Sequence, residues 1–306
     1  MANTSTKNTL HFRTEAAARK HLERVRWPYG AVCAHCGSQN ATAMKGEKHR
    51  AGLYNCKDCR KQFSVTVGTL FEGSKIPLHK WLTAVHLLAS SKKGFSSHQL
   101  HRTLKITYKS AWFMTHRIRE AMRDPIFAGQ LGGDHRIVEA DETFWGNKRA
   151  SKGKRGGWRH KEKVFSLLER GGNVRSFHEA SVGAKTLKPI IRQQVAQDTY
   201  IMTDGSGAYH NLESEFAGHH SVDHEKAEYV RGPIHVNGLE NYYSILKRGL
   251  SGVYQHVGAK HLKRYIGEFD FRYNNRHLTD DQRAMVALLG IAGKRLRYRE
   301  PLKAEM

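Results

Sequence analysis

The alternation of apolar and polar positions divides the chain into stretches of helical and of strand period. Residues 11–26 (HFRTEAAARKHLERVR) are rich in Ala, Glu, Lys and Arg, with no breaker before Pro28, and predict a helix. After Pro77, tolerable in a first turn, Trp81, Leu82, Val85 and Leu88 recur at helical spacing. Gly94 interrupts, Ser96 can cap a short helix, and a turn at Lys105–Thr107 leads into Tyr108–Glu120. Short helix, turn and second helix resemble a helix-turn-helix. Strand signals follow. Arg136–Trp145 opens apolar, and Val164–Leu168 and Val174–Val182 flank a Gly171-Gly172-Asn173 turn. A helix at Leu187–Val195 and a short strand at Asp198–Thr203 come next, the strand ending in an Asp204-Gly205 turn. Leu239, Tyr243, Leu246 and Leu250, then Tyr265, Ile266, Phe269 and Tyr273, mark two more helical stripes. Strands, helix and strand in this order predict an α/β layer built on one mixed sheet.

The expected organisation is an N-terminal helix and cysteine cluster in 1–70, a helical helix-turn-helix-like module in 71–130, an α/β domain in 131–280, and a basic helical tail in 281–306. Asp124-Pro125 and the Gly129–Gly133 segment read as the linker ahead of the α/β domain.

Charge narrows the partner. Fifty-one Lys and Arg against 28 Asp and Glu give a formal +23, which predicts polyanion binding and favours nucleic acid. No apolar run approaches a membrane span, and the N-terminus lacks the apolar core of a secretory signal, so a cytoplasmic chain is expected. In Lys148–Lys163 eight of sixteen residues are Lys or Arg. That stretch predicts an arm gripping phosphates through Lys154, Arg155 and Arg159, with Trp158 available to stack on a base. The second helix of the helical pair carries Lys109, His116, Arg117 and Arg119 as further candidate DNA contacts.

The four cysteines form two CxxC pairs, Cys33/Cys36 and Cys56/Cys59. This is the pattern of a tetrahedral all-thiolate zinc site, closed to substrate and therefore structural. His35 is expected on the surface beside its knuckle.

Acidic residues supply candidate chemistry. Glu139, Asp141 and Glu142 crowd one strand, where the pleat puts Glu139 and Asp141 on one face and Glu142 on the other. Asp204 ends a later strand, and Glu240 lies on a helix. Hard divalent cations such as Mg2+ or Mn2+ take oxygen ligands of this kind, and such ions promote in-line displacement at phosphorus. Two readings of Glu240 stay open: with Asn237 as N-cap it stands at the third helical position of a capping box, or it is a metal ligand. The strand pattern does not separate Asp141 from Glu139.

The order of zinc ribbon, helical segment, VEADET, TDG, HVNGLENYYSILKRGLSGVYQHV and EFDFRYNNR resembles the insertion-sequence transposases of the IS1595 (ISXO2-like) family. The resemblance covers roughly residues 10–280. It implies an RNase H-like catalytic domain of the DDE type, with Asp141, Asp204 and Glu240 as a magnesium-binding catalytic triad. It further implies a DNA contact at Lys247, next to which Arg248 is a further candidate, and it leaves Glu139 and Glu142 unassigned, to be read as supporting or structural. The expectation is a bacterial, nucleoid-associated transposase that binds terminal inverted repeats and carries out strand cleavage and strand transfer as a homodimer or larger assembly on DNA. A catalytically inert DNA-binding regulator and a junction-resolving nuclease are the alternatives.

Overall fold

The computed structural model describes residues 13–123, 129–146, 161–223 and 226–297, in two compact units. The first comprises the chain up to Met122 together with the residues from Leu278 on, and the second comprises Arg123–His277.

In the first unit α1 (Glu15–Arg26) starts where Thr14 accepts a hydrogen bond from the Ala17 N–H at 3.2 Å, the usual service of an N-cap hydroxyl. Strands β1 (Ala41–Ala43), β2 (Leu53–Cys56) and β3 (Gln62–Ser64) form an antiparallel ribbon in that order. Helices α2 (Leu78–Ser90), α3 (Ser97–Leu104) and α4 (Tyr108–Met122) follow as their apolar spacing predicts, burying Trp81, Leu82, Val85, Leu88, Leu100, Met114 and Ile118. Ser96 caps α3 through the Gln99 N–H, and Lys105 turns the chain into α4 in the left-handed region, φ 50°. One expectation for α4 is corrected. His116 and Arg119 are buried among the apolar residues of their own helix face and present nothing to a nucleic acid.

The second unit is a five-stranded mixed sheet, built from β4 (Ile137–Trp145), β5 (Glu162–Glu169), β6 (Val174–Glu179), β7 (Tyr200–Asp204) and β8 (Gly218–Val222). Its order is β6-β5-β4-β7-β8. Strand β5 runs antiparallel to both its neighbours, β6 and β4, and β7 and β8 run parallel to β4. Both faces are covered. Leu187 and Ile191 of α5 (Ala184–Gln194) pack with Val138, Ala140, Phe165 and Leu167. On the other face α6 (Asn237–Gly249) and α7 (Ala259–Asn274) bring Leu239, Tyr243, Leu246, Ile266 and Phe269 against Val164, Leu168 and Val174. This is the RNase H-like mixed sheet that the sequence resemblance implies. Strand β8 was not expected: its sequence, GHHSV, is too polar and too short to show a strand period, and it lies at the sheet edge. A further helix, α8 (Asp280–Leu289), belongs to the first unit and is opened by a complete Thr279/Gln282 capping box.

Candidate metal-binding active site

Strands β4 and β7 pair in parallel as far as Glu139 and Met202. Asp141 and Asp204 each lie two residues beyond that last pair, where β4 and β7 part: β7 ends at Asp204, while β4 runs on to Trp145 beside β5. Open α/β sheets offer ligand crevices where neighbouring strands part in this way. Ligand oxygens of Asp141, Glu142 and Asp204 all lie within 4.8 Å of one another. The pleat does send Glu142 to the face opposite Asp141. Past Glu139 and Met202, however, β4 and β7 no longer pair with each other, and a Glu142 oxygen still lies within 4.8 Å of oxygens of Asp141 and Asp204.

Local hydrogen bonds hold the three acids in place. The Glu142 N–H donates to Asp141 Oδ1 at 2.7 Å, and the Ser206 N–H donates to Asp204 Oδ1 at 3.1 Å. The hydroxyl of Tyr209, in the 3-10 turn Gly207–Tyr209, donates to Glu142 Oε2. Tyr209 has no solvent exposure, and no feature of the sequence marked it. Burial, followed by the charges of Glu142 and Asp204, pushes the Asp141 carboxyl well above the usual range. Burial likewise raises Glu142 to about 7, against the lowering effect of the Tyr209 hydroxyl. Neighbouring carboxylate charges that raise Asp141 and Glu142 mark a site whose repulsion a divalent cation relieves, and the all-oxygen donor set suits Mg2+ or Mn2+.

Glu240 stands outside this close cluster, exposed on α6, yet its charge also raises Asp141. The capping-box reading of this helix is corrected. Helix α6 begins at Asn237 itself, after Val236, without a side-chain cap of its own. A first-turn N–H, that of Leu239, is instead taken by Glu139 Oε2 at 3.0 Å. Glu139 is thereby engaged with α6 and takes no part in the carboxylate cluster.

Lys247 and Arg248 are exposed on the same helix as Glu240, with Arg248 Nε donating to the Ser244 carbonyl at 3.1 Å. Arg117 is half-buried, its Nε on the Leu296 carbonyl at 3.1 Å and its guanidinium 4.8 Å from the centre of the Phe113 ring. Lys154, Arg155, Trp158 and Arg159 lie outside the described residues.

The four cysteine sulfurs also lie within 4.8 Å of one another, with Cys33–Cys59 at 3.7 Å and Cys36–Cys56 at 3.6 Å. A disulfide would put two sulfurs about 2 Å apart. Thiolates about 2.3 Å from a tetrahedral metal stand about 3.8 Å from each other, which these spacings approach. The His35 N–H points at Cys33 Sγ at 3.4 Å, and the His35 side chain is exposed as expected.

Residues 13–62 match the transposase zinc-ribbon domain, and residues 130–274 match the ISXO2-like transposase domain. An uncharacterized protein in transposable element ISH50 of Halobacterium salinarum is 27% identical over 272 residues, covering 85% of this chain and 91% of that protein. An uncharacterized transposase-like protein of Haemophilus influenzae is 28% identical over 98 residues, 32% of this chain and 78% of that one. The Mos1 strand transfer complex aligns with 71% of this chain and 79% of that chain, at 11% identity and a TM-score of 0.27. For the pre-cleavage Mos1 transpososome the shares are 71% and 80%, at 10% identity and a TM-score of 0.24. Scores this low extend neither the fold nor the site. Among the described residues no helix is long and apolar enough to cross a membrane.

Proposed function

This chain belongs to the ISXO2-like (IS1595) transposase family, and on that premise we propose that it cuts DNA at the ends of an insertion sequence and joins those ends to a target. The observation that carries the proposal is the convergence of Asp141, Glu142 and Asp204 where β4 and β7 part. Asp141 and Asp204 are the two acids assigned to hold Mg2+ or Mn2+, Glu240 is the third, and Glu142 supports them from the Tyr209 side. Bound by these carboxylates, a divalent cation would supply activation of the attacking oxygen and stabilisation of the leaving one.

The chain's own residues do the rest. Lys247 and Arg248, exposed on the helix that carries Glu240, bind backbone phosphates and hold the scissile bond against the carboxylates. Lys154, Arg155, Trp158, Arg159 and Arg117 are assigned further DNA contacts. Water attacks first, leaving a 3′-hydroxyl on the element end. That hydroxyl then attacks a target phosphodiester, whose displaced oxygen leaves as a new 3′-hydroxyl. No side chain becomes covalently attached, so no Ser or Tyr is assigned as a nucleophile. The cysteine cluster is assigned Zn2+, which holds the ribbon folded. Joining two ends calls for two copies of the active site, hence a homodimer or larger assembly on DNA.

The test is Asp141→Asn, with purified protein and duplexes carrying the element ends. Binding is expected to persist and nicking with Mg2+ or Mn2+ to disappear. An unaltered protein that binds the ends without nicking them is an inert regulator. One that cuts branched DNA of any sequence without joining is a resolving nuclease.

A further inference from the structure

One buried acid of β4 stays out of the carboxylate cluster and is instead fully committed elsewhere. Glu139 is 1% exposed. Its Oε1 accepts from Arg170 Nε at 2.8 Å and lies 3.5 Å from His235 Nδ1, while its Oε2 accepts the Leu239 N–H at 3.0 Å. Arg170 is fastened to the same strand by its own N–H, which donates to the Ile137 carbonyl at 3.0 Å. Its guanidinium donates to the Pro233 carbonyl at 2.7 Å and to the His235 carbonyl at 2.8 Å. Glu139 and Arg170 together therefore grip both the approach to α6 and its first turn. Gly238 makes the approach possible: a Cβ there would stand 2.7 Å from Glu139 Oε2 and 2.5 Å from Leu168 Cδ2. An anion at a helix N-terminus meets unpaired N–H groups and the positive end of the helix dipole, and the Arg170 charge offsets its burial.

We infer that Glu139 is a positioning residue for the reaction, setting α6 against β4 so that Glu240 is presented to the Asp141–Glu142–Asp204 cluster. The inference rests on the reading given under Proposed function. Its geometry is direct. The strand that carries the tether carries Asp141 two residues on, and the helix turn that receives it carries Glu240 next to Leu239. A shift of the tether is passed to Glu240 within a single turn. An ångström of misplacement at a reacting centre costs about a hundredfold in rate.

The experiment uses the full chain and three readouts: Mn2+ affinity without DNA, single-turnover nicking at saturating Mn2+, and affinity for end-sequence DNA. Glu139→Gln and Gly238→Ala are expected to slow nicking about tenfold to a hundredfold while DNA affinity holds. Glu139→Gln is expected to weaken Mn2+ binding in the parent and to add nothing in a Glu240→Gln background, since both act through one ligand. Losses that multiply in the double variant, or a Gly238→Ala protein with full nicking rate, overturn the inference. Should Glu139→Gln fail to fold, Gly238→Ala decides, because it alters no charge and replaces a poor helix former with a good one. If Asp141→Asn leaves Mn2+ binding untouched, the carboxylate site itself is wrong, a failure distinct from that of the tether.

Discussion

Tyr209, without solvent exposure, donates its phenolic hydrogen to Glu142 Oε2 and so couples the core beneath α5 to the carboxylate cluster. The contact keeps Glu142 turned toward Asp204 and favours its ionised form. Tyr209→Phe removes the donor and leaves a half-buried acceptor, a change that costs about 1–3 kcal/mol of stability. With that lowering effect gone, Glu142 holds its proton more tightly. The expected outcome is severalfold weaker Mn2+ binding at pH 7 in a folded protein, measured by titration with paramagnetic detection of free Mn2+. Unchanged affinity would remove Glu142 from the site.

Cation binding should also follow the Glu142 proton. Burial places this carboxyl at about 7, so below that pH most molecules carry a proton where the cation needs an oxygen lone pair. This group's contribution to Mn2+ affinity should rise with pH, by up to about tenfold per unit below 7, and level off above 7, over whatever pH dependence the raised Asp141 carboxyl adds. Glu142→Gln should lower the slope of log affinity against pH by roughly 0.7 between pH 6 and 7. The slopes come from Mn2+ titrations at half-unit steps, and identical slopes would place the competing proton elsewhere.

The cysteine cluster yields a prediction about folding. Ribbon strands of three and four residues cannot form a sizeable core alone, so on the proposed zinc assignment metal binding is expected to supply their stability. Stripping zinc, or Cys56→Ser, should strip hydrogen-exchange protection from residues 31–65 while leaving β4 through β8 protected. Retained ribbon protection at a verified zero metal content would be the contrary result.

What could be read in advance follows the range of the signal. The cysteine pairs and the helices α2, α6 and α7 announce themselves within a few residues, through CxxC spacing or apolar period. Asp141 and Asp204 were legible as acids in or ending predicted strands, but Asp141 lies in the middle of β4, which runs on to Trp145, while Asp204 ends β7. The roles of Glu139 and Glu142 were not. Each is decided by partners far along the chain: for Glu139 Arg170 and the Leu239 N–H, 31 and 100 residues on, and for Glu142 the Tyr209 hydroxyl, 67 residues on. A backbone N–H has no sequence signature, and a buried tyrosine at helical or turn spacing looks like any core aromatic. His116 and Arg119 misled for the converse reason, since charge in a helix suggests solvent and these two are buried.

Asp270 supplies the last prediction, one about stability and pH. It is buried on α7, accepting the Ser176 N–H at 2.9 Å and hydrogen bonds from the Ser176 and Tyr242 hydroxyls. Burial raises its carboxyl from 3.8 to about 6, outweighing the lowering effect of those donors. The folded state therefore binds this proton more tightly than the unfolded chain. Its contribution to stability is complete below the unfolded pKa near 3.8 and is lost as pH rises through about 6. The linkage amounts to roughly 3 kcal/mol across that window. Asp270→Asn abolishes the titration, so the variant should gain on the parent by about that amount between pH 4 and pH 7. Hydrogen exchange in urea, read on β6 and α7, measures the difference locally in the unit that holds the carboxyl. A constant difference across the range would show that Asp270 stays ionised when folded, held so by its three donors.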